Sequence, residues 1–273
     1  MDELNIMKQR IDVYLTEKNF FESREKARAM IMSGEIFVNN QRVDKAGYIV
    51  KPGDEVEFRG KQPKFVSRGG LKLEKAIDVF EIDVKDKVCV DIGASTGGFT
   101  DCMLKNGAKK VYSIDVGYGQ LAWNLRTDGR VVNLERTNIR YLDESLIKED
   151  IEFISVDVSF ISLRLVLPKI KNILAKESYA VCLIKPQFEA GKEQVGKNGV
   201  VRDEAVHKKV IEDIINFTEH EMNFEVCGLN YSPVKGPQGN IEYLMYIKNV
   251  DAINNNFNID DIQNVVREFH ENL

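Results

Sequence analysis

The glycine-rich segment at residues 88–100 constrains the fold of this chain more than any other stretch. Its apolar run, Val88–Ile92, carries an acid at Asp91 and is followed by a loop, Gly93–Gly98, and then by a helical pattern. This order predicts a buried strand, a tight turn and a helix, as found after the first strand of a parallel α/β sheet. Glycines let the backbone of such a turn approach a ligand closely, and the start of the helix presents unpaired N–H groups. The segment therefore predicts a site for a nucleotide-like ligand.

The spacing of this loop narrows the class of nucleotide. A dinucleotide-binding fingerprint has glycine at its first, third and sixth positions, whereas the third position here is Ser95. The phosphate-binding loop of an ATPase ends in Gly-Lys-Ser or Gly-Lys-Thr, whereas Gly98 is followed here by Phe99. The loop therefore disfavours both hydride transfer and ATP hydrolysis.

A second predicted strand, Lys110–Ile114, is followed by a carboxylate at Asp115. An acid at this position can accept hydrogen bonds from both hydroxyls of an adenosine ribose. The combination suits S-adenosylmethionine, because its sulfonium and amino groups favour carboxylates over a phosphate-binding loop. The alternative is that the two acids only end strands and the glycines only form a turn. The predicted cofactor-binding residues are Asp91, Gly93, Ser95, Gly97, Gly98, Asp115 and Val116.

The length and composition of the chain exclude several classes of protein. With 273 residues and 43% hydrophobic side chains, it can bury the core of one large domain or of two domains. No apolar run approaches the ~20 residues of a membrane span, and the first residues lack the pattern of a signal peptide. We therefore expect a cytoplasmic protein. The four cysteines and three histidines are scattered without metal-ligand spacing, so we expect no metal site.

The net charge of −5 is unevenly distributed along the chain. Residues 1–70 carry 13 basic and 11 acidic side chains, whereas the remaining residues carry 25 and 32. A local basic face matters more for RNA binding than the total charge does. The acidity of the whole chain therefore does not exclude an RNA partner.

The first 60 residues predict a small α+β domain. Ser23 can cap a helix that buries Ala27 and Ile31 and ends at Gly34, and short strand patterns follow it. The segment resembles the S-four domain, an RNA-binding module of the fourth small-subunit ribosomal protein. The matching motifs are Arg10-Ile11-Asp12-x-x-Leu15, Ser23-Arg24-x-x-Ala27 and Val38-Asn39-x-x-Arg42-Val43.

This resemblance implies that structured RNA is bound by Arg10, Arg24, Arg28 and Arg42. Composition alone would instead favour a solvated helix face that carries two arginines. Residues 61–70 are basic and contain proline and glycine, which interrupt regular structure. They predict a linker that adds Lys61, Lys64 and Arg68 to the RNA-binding residues. The predicted domains are residues 1–60, the linker 61–70 and residues 71–273.

Beyond the linker, strand and helix patterns alternate. Parallel strands are predicted near residues 88–92, 110–115, 130–134, 152–157 and 179–184, and the last runs, 224–230 and 243–248, predict an edge hairpin. The main helices between them are expected at 161–174 and 203–219. This count is the one expected of a Rossmann-like methyltransferase sheet.

Polar residues follow three of these strands. Lys185 comes directly after the apolar run Val181–Ile184, where burial disfavours a charged ammonium unless a carboxylate such as Asp157 stabilises it. The alternative is a lysine that extends its charged end into solvent. Glu242 lies in a third segment of this kind, Gly239–Tyr243.

Nearly the whole chain resembles the TlyA, or hemolysin A, family of ribosomal RNA ribose methyltransferases, whose catalytic domain is similar to FtsJ. The motifs that carry the resemblance are Val66-Ser67-Arg68-Gly69-Gly70-Leu71-Lys72-Leu73, Asp91–Cys102, Asp115–Leu121, Lys185-Pro186-Gln187-Phe188-Glu189 and Gly236-Pro237-x-Gly239-Asn240-x-Glu242. The family uses a Lys-Asp-Lys-Glu tetrad, and its position-by-position equivalent is Lys72, Asp157, Lys185 and Glu242.

The resemblance implies S-adenosylmethionine-dependent 2′-O-methylation of ribose in ribosomal RNA, with cytidine as the expected nucleotide. Lys185 would hydrogen-bond the ribose hydroxyl and help to remove its proton, and Glu242 would orient a lysine or the ribose. Residues 189–203 are polar and glycine-rich, and we interpret them as a loop on the substrate side or an ordinary connector.

Two other classes of function are weighed against this one. A membrane-active hemolysin is disfavoured because the chain has neither a spanning segment nor a strongly basic amphipathic helix. A non-catalytic RNA-binding regulator that only binds S-adenosylmethionine is disfavoured by the complete tetrad.

Overall fold

The chain divides into two compact units, residues 1–62 and residues 63–273. The computed structural model describes residues 8–18, 20–21, 23–60, 63–253 and 257–271. In these ranges, no helix combines the length and the apolar character needed to cross a lipid bilayer.

The first unit packs two helices against short antiparallel strands. Its helices are α1 (Ile11–Glu17) and α2 (Arg24–Met32), and its strands are β1 (Gln9–Arg10), β2 (Ile36–Val38), β3 (Gln41–Val43), β4 (Ile49–Val50) and β5 (Val56–Phe58). Strand β1 pairs with β4, and the other three form a sheet in the order β3-β2-β5. As predicted, Ser23 caps α2 by accepting a hydrogen bond from the Lys26 N–H, and Ala27 and Ile31 are buried in the core.

The second unit is an α/β domain around one seven-stranded sheet. Its strands are β6 (Val88–Ile92), β7 (Lys110–Ile114), β8 (Val131–Leu134), β9 (Ile151–Val156), β10 (Leu174–Ile184), β11 (Phe224–Tyr231) and β12 (Tyr243–Asn249). Its helices are α3 (Gly69–Val79), α4 (Gly98–Lys105), α5 (Trp123–Arg126), α6 (Leu167–Ile173), α7 (Pro186–Glu189), α8 (Glu204–Asn216) and α9 (Ile259–Glu271).

The sheet has the strand order β11-β12-β10-β9-β6-β7-β8. Strands β6 to β10 are parallel, whereas β12 runs antiparallel to both β10 and β11. Most of the inward-facing residues of the central strands are fully buried, which matches their continuous apolar runs in the sequence. The predicted fold class, a Rossmann-like methyltransferase sheet preceded by a small α+β domain, is confirmed.

Three segments differ from the sequence-based expectation. Strand β10 begins at Leu174, whereas the sequence predicts its start near residue 179. The helix expected at 161–174 is divided into a short 3₁₀ turn, Leu163–Leu165, and α6, because Pro168 lies in the first turn of α6, where its missing N–H costs no bond. Residues 65–70 of the expected linker contribute to the second unit. Phe65 is buried in its core, and Gly69 begins α3.

Asp91 ties the strand β6 to the helix α4. Its Oδ2 accepts hydrogen bonds from the N–H and the hydroxyl of Thr100, at 2.9 and 2.7 Å, and its Oδ1 accepts one from the Ser155 hydroxyl at 3.3 Å. The side chain is fully buried, and this burial raises the pKa of its carboxyl to about 7. At neutral pH the folded protein therefore keeps a substantial fraction of this acid protonated.

This arrangement predicts a pH-dependent loss of stability that Asp91→Asn removes. Because the carboxyl pKa is raised in the folded state, its contribution to stability is lost as the pH rises through 7. The wild type should lose about 1.4 kcal/mol more than the variant between pH 6 and pH 8, the equivalent of one pKa unit. The measurement is urea unfolding at both pH values, followed by fluorescence of the single tryptophan, Trp123, which lies in the second unit. Equal losses in the two proteins would contradict the buried-acid interpretation.

Candidate active site

A cavity of about 830 Å³ opens at the carboxyl ends of strands β6, β7 and β9. Four of the predicted cofactor-binding residues line it, namely Gly93, Ser95, Asp115 and Val116. Its volume lies in the usual range of small-molecule sites, and its place at the strand ends is where open α/β sheets bind ligands.

Two glycines of the loop allow close backbone approaches. Gly93 has φ +85°, and a Cβ there would lie 2.4 Å from the carbonyl oxygen of Asp157. A Cβ on Gly98 would lie 2.4 Å from Ser67 Oγ and 2.7 Å from the backbone nitrogen of Gly70. The first glycine brings β6 next to the end of β9, and the second brings the start of α4 next to the start of α3.

Asp115 stands at the edge of the cavity and orders the loops around it. Its Oδ2 accepts a hydrogen bond from the Ser95 N–H at 2.7 Å, and its Oδ1 accepts one from the Gly117 N–H at 2.6 Å. A carboxylate offers about four lone-pair sites, so each oxygen can accept a further bond from a ligand hydroxyl.

The predicted tetrad residues lie together beside this cavity. Lys72 is on α3, Asp157 follows β9, Lys185 follows β10, and Glu242 precedes β12. Lys72 Nζ donates to Glu242 Oε2 at 2.6 Å and to Asp157 Oδ2 at 3.1 Å. Lys185 Nζ lies 2.5 Å from Asp157 Oδ1, as an ion pair outside hydrogen-bond geometry, and it donates to Ser159 Oγ at 3.1 Å.

The electrostatics of this cluster rest on two ammonium groups that alternate with two carboxylates. Burial opposes the charge of Lys72, but Asp157 and Glu242 outweigh it and raise the pKa of the ammonium. Burial also opposes the charge of Asp157, but Lys185 and Lys72 outweigh it and hold the pKa of the carboxyl below its ordinary value. One oxygen of Glu242, Oε1, is buried and has no hydrogen-bond partner among the described residues.

Asp157 belongs to both the cavity and the charged cluster, since it lines the former and joins the two lysines of the latter. Ser159 does the same, because it lines the cavity and accepts a bond from Lys185. A ligand in the cavity therefore lies within reach of a cluster of charged side chains that are largely buried. Such a site can orient a hydroxyl group and stabilise charge that develops on its oxygen.

Sequence reasoning missed two aromatic residues at this site. Phe160 is 91% exposed, although it lines the cavity, and it has the strained backbone angle φ +63°. Its ring lies 5.0 Å from the ring of Phe188, which also lines the cavity. Strain of this kind costs energy and is concentrated at functional sites. Phe188 lies in the family motif Lys185–Glu189, which could have singled it out, whereas nothing in the sequence predicts the exposure or the positive φ of Phe160.

The remaining predicted cofactor residues do not line the cavity. Asp91 faces Thr100 inside the core, Gly97 turns the chain with φ +96°, and Gly98 packs against α3. These three residues shape the loop without lining the cavity.

The segment at 189–203 is attached to the site at both ends. Glu189 accepts hydrogen bonds from the Ser162 hydroxyl at 2.6 Å and from the Leu163 N–H at 2.8 Å. At the other end, Asn240 donates to the Gly199 carbonyl and accepts from the Val201 N–H. The exposed residues lie between these anchors.

Of the residues predicted to bind RNA, three meet in the first unit. Arg10, Arg24 and Arg28 all contact the buried carboxylate of Asp12. Arg42 donates instead to the carbonyl of Ser33 at 3.2 Å.

The predicted linker residues are placed differently. Lys64 pairs with Glu74 in the second unit, and Arg68 directly precedes α3. Lys61 lies outside the described residues.

Comparison with known proteins identifies both units. Residues 65–249 match the family described as FtsJ-like methyltransferase, and residues 9–56 match the S4 domain. The candidate rRNA methyltransferase YqxC of Bacillus subtilis is 47% identical over 97% of this chain and 95% of its own length. The 16S/23S rRNA (cytidine-2′-O)-methyltransferase TlyA of Mycobacterium tuberculosis is 38% identical over 88% of this chain and 89% of its own length.

A solved structure of a candidate hemolysin from Streptococcus thermophilus has the same fold, with a TM-score of 0.76. It is 46% identical and covers 97% of this chain and 96% of its own. The resemblance inferred from the motifs is thereby confirmed. The chain belongs to the FtsJ-like methyltransferase family, in the group that carries an S4 domain and includes TlyA.

Proposed function

We propose that this protein transfers a methyl group from S-adenosylmethionine to the 2′-hydroxyl of a ribose in ribosomal RNA. The observation that carries the proposal is the charged cluster of Lys72, Asp157, Lys185 and Glu242, which shares Asp157 with the cofactor-sized cavity. The named activity of the TlyA relatives supports cytidine as the nucleotide and ribosomal RNA as the substrate. We place the reaction in the cytoplasm, where ribosomes are found.

The residues around the cavity fit S-adenosylmethionine. The carboxylate of Asp115 suits the two ribose hydroxyls, and the bare backbone at Gly93 permits close contact. Asp157 also lines the cavity, but Lys72 and Lys185 offset its charge, so the fit to the cofactor rests on Asp115 and Gly93. Asp115 and the backbone at Gly93 would hold this cofactor, which would supply a methyl group on a cationic sulfur. The sulfur would keep the electrons of the S–C bond, and the ribose oxygen would gain the methyl group and give up its proton.

The protein's own contribution is to hold and deprotonate the ribose hydroxyl. Lys185 Nζ would donate to the 2′-oxygen in its charged form and accept the hydroxyl proton in its neutral form. Asp157 lines the cavity and pairs with the Lys185 amine, so it holds this amine beside the cavity, and Lys72 compensates the charge of Asp157. The unpartnered Oε1 of Glu242 would accept a hydrogen bond from the ribose or from a water beside it.

Phe160 and Phe188 would receive the base of the target nucleotide. An exposed ring next to the charged cluster offers a stacking surface for a base that has left its helix. A pocket that contacts one nucleoside reads little sequence, so selection of the site would depend on structured RNA bound by the arginines of the first unit.

Lys185→Ala tests the proposed reaction directly. Methyl transfer to isolated ribosomal subunits should fall by about 10²–10⁴-fold, the contribution typical of a positioned acid or base. The measurement is transfer of labelled methyl followed by mapping of the modified ribose. The matched control is Lys171→Ala, since Lys171 donates to the Asn223 carbonyl away from the cavity. Normal transfer by Lys185→Ala protein would contradict the assignment, and unfolding would make Lys185 a structural residue.

Asp115→Ala tests the cofactor. Loss of hydrogen bonds to both ribose hydroxyls should weaken S-adenosylmethionine binding by about 1.5–3 kcal/mol, as measured by calorimetry. Asp128→Ala is the control, because Asp128 pairs with Arg130 and does not line the cavity. If the wild type binds no S-adenosylmethionine, the ligand is wrong; if Asp115→Ala binds it normally, the pose is wrong.

Phe160→Ala tests the base-stacking surface. Loss of stacking is worth about 1–3 kcal/mol per base, so the KM for ribosomal subunits should rise roughly 5–150-fold while cofactor affinity stays unchanged. Alanine keeps a Cβ at the strained position, so the backbone strain is the same in both proteins. Phe160→Trp should restore most of the affinity. An unchanged KM in Phe160→Ala would remove Phe160 from the RNA-binding surface.

A further inference from the structure

Three arginines of the first unit converge on one buried carboxylate, that of Asp12. Arg10 Nε lies 3.0 Å from Oδ1, Arg24 Nη2 lies 2.8 Å from Oδ2, and Arg28 Nε lies 3.0 Å from Oδ2. The Asp12 side chain is 0% exposed, whereas the arginine side chains are each 45–48% exposed. The acid thus lies beneath a surface that consists of guanidinium groups.

These four residues come from three different elements. Arg10 is in β1, Asp12 is in the first turn of α1, and Arg24 and Arg28 are one turn apart on α2. The contact between Asp12 and Arg28 spans 16 positions of the chain. The carboxylate therefore fixes the side chains of three elements relative to one another.

The charge of the cluster suits an anion. Three guanidinium groups and one carboxylate leave a net charge of about +2. Burial opposes ionisation of Asp12, but the three arginines outweigh it and hold the pKa of its carboxyl far below the ordinary value. The contacts with Asp12 use two N–H groups of Arg10 and one each of Arg24 and Arg28, out of five on every guanidinium.

Ordering these side chains in advance should lower the cost of binding. An arginine that is mobile in the free protein loses rotamer freedom when it binds a phosphate, at a cost for each immobilised side chain. Arginines already held by Asp12 have lost this freedom on folding.

We propose that Asp12 is a positioning residue that holds Arg10, Arg24 and Arg28 as one preformed site for neighbouring phosphates of structured RNA. This inference rests on the proposed function, since it assumes that the first unit binds ribosomal RNA. Asp12 itself does not touch the RNA, because it lies beneath the arginines.

Asp12→Asn separates this role from a simple effect of charge. The substitution removes a negative charge from the RNA-binding surface, so charge alone would make RNA binding tighter. If Asp12 positions the arginines, the opposite is expected. The arginine side chains regain their rotamer freedom in the variant, so binding to purified ribosomal subunits should weaken roughly tenfold. Binding is measured with the intact chain at a fixed salt concentration. S-adenosylmethionine affinity and thermal unfolding are measured alongside to show that the variant is folded. Tighter or unchanged binding by a folded Asp12→Asn variant would overturn the inference.

A second pair of variants distinguishes failure of the inference from failure of the proposed function. Replacement of both Arg24 and Arg28 by alanine should weaken subunit binding and reduce its salt dependence, whereas Arg59→Ala should not, because Arg59 pairs with Glu57. In the double-alanine background only Arg10 remains for Asp12 to hold, so Asp12→Asn should weaken binding clearly less than the roughly tenfold effect expected in the intact chain. Normal binding by the double variant would refute RNA binding by this surface. If the double variant binds weakly but Asp12→Asn has an undiminished effect in that background, only the positioning role of Asp12 is refuted, and RNA binding by this surface stands.

If Asp12→Asn does not fold, the arrangement can be measured in the unmodified chain. Arginine ¹⁵N spectra should show Nε–H groups of Arg10 and Arg28 that exchange with water at least about tenfold more slowly than in a free peptide, because both donate to Asp12. Exchange as fast as in the peptide would mean that the arginines are not held, and the inference would be wrong.

Discussion

The carboxylate of Asp157 is the interaction on which the rest of the second unit's site depends. It lies between two buried ammonium groups, at 3.1 Å from Lys72 and 2.5 Å from Lys185. Without it, two like charges would meet in a region with little water, which is strongly unfavourable. The backbone of Asp157 also packs against the loop that follows β6. Position 93 in this loop is a glycine because any larger residue would collide with the carbonyl oxygen of Asp157.

Much of the second unit could be predicted because its strands are short apolar runs with polar ends. Asp157 and Lys185 follow neighbouring parallel strands, and this adjacency brings them together once the strand order is known. Lys72 is different. It is one lysine in an amphipathic helix, 85 positions from Asp157 and 170 from Glu242, and only the family resemblance singled it out.

The acids at the ends of β6 and β7 show where a sequence pattern reaches its limit. Asp91 and Asp115 look equivalent in the sequence, yet one is buried against Thr100 and the other lines the cavity. Which way a side chain points depends on the pleat of the strand and on the helix that packs behind it, and both are set by distant parts of the chain. Asp12 belongs to a motif of the S-four resemblance, but its contact with three arginines was not predicted, since an acid in the first turn of a helix is ordinarily explained by the helix dipole alone.

The reversed direction of β12 has a consequence for the order in which the site is completed. Because this strand runs against β10, its beginning lies at the sheet edge where β9 and β10 end, and Glu242 stands there as the last of the four charged residues in the chain. During synthesis, Lys72, Asp157 and Lys185 emerge from the ribosome well before Glu242 and the strand that holds it. Until Glu242 has been synthesised, only one of the two acids of this cluster is available to balance the two lysines. The complete arrangement of charges therefore requires a chain that has been synthesised beyond Glu242.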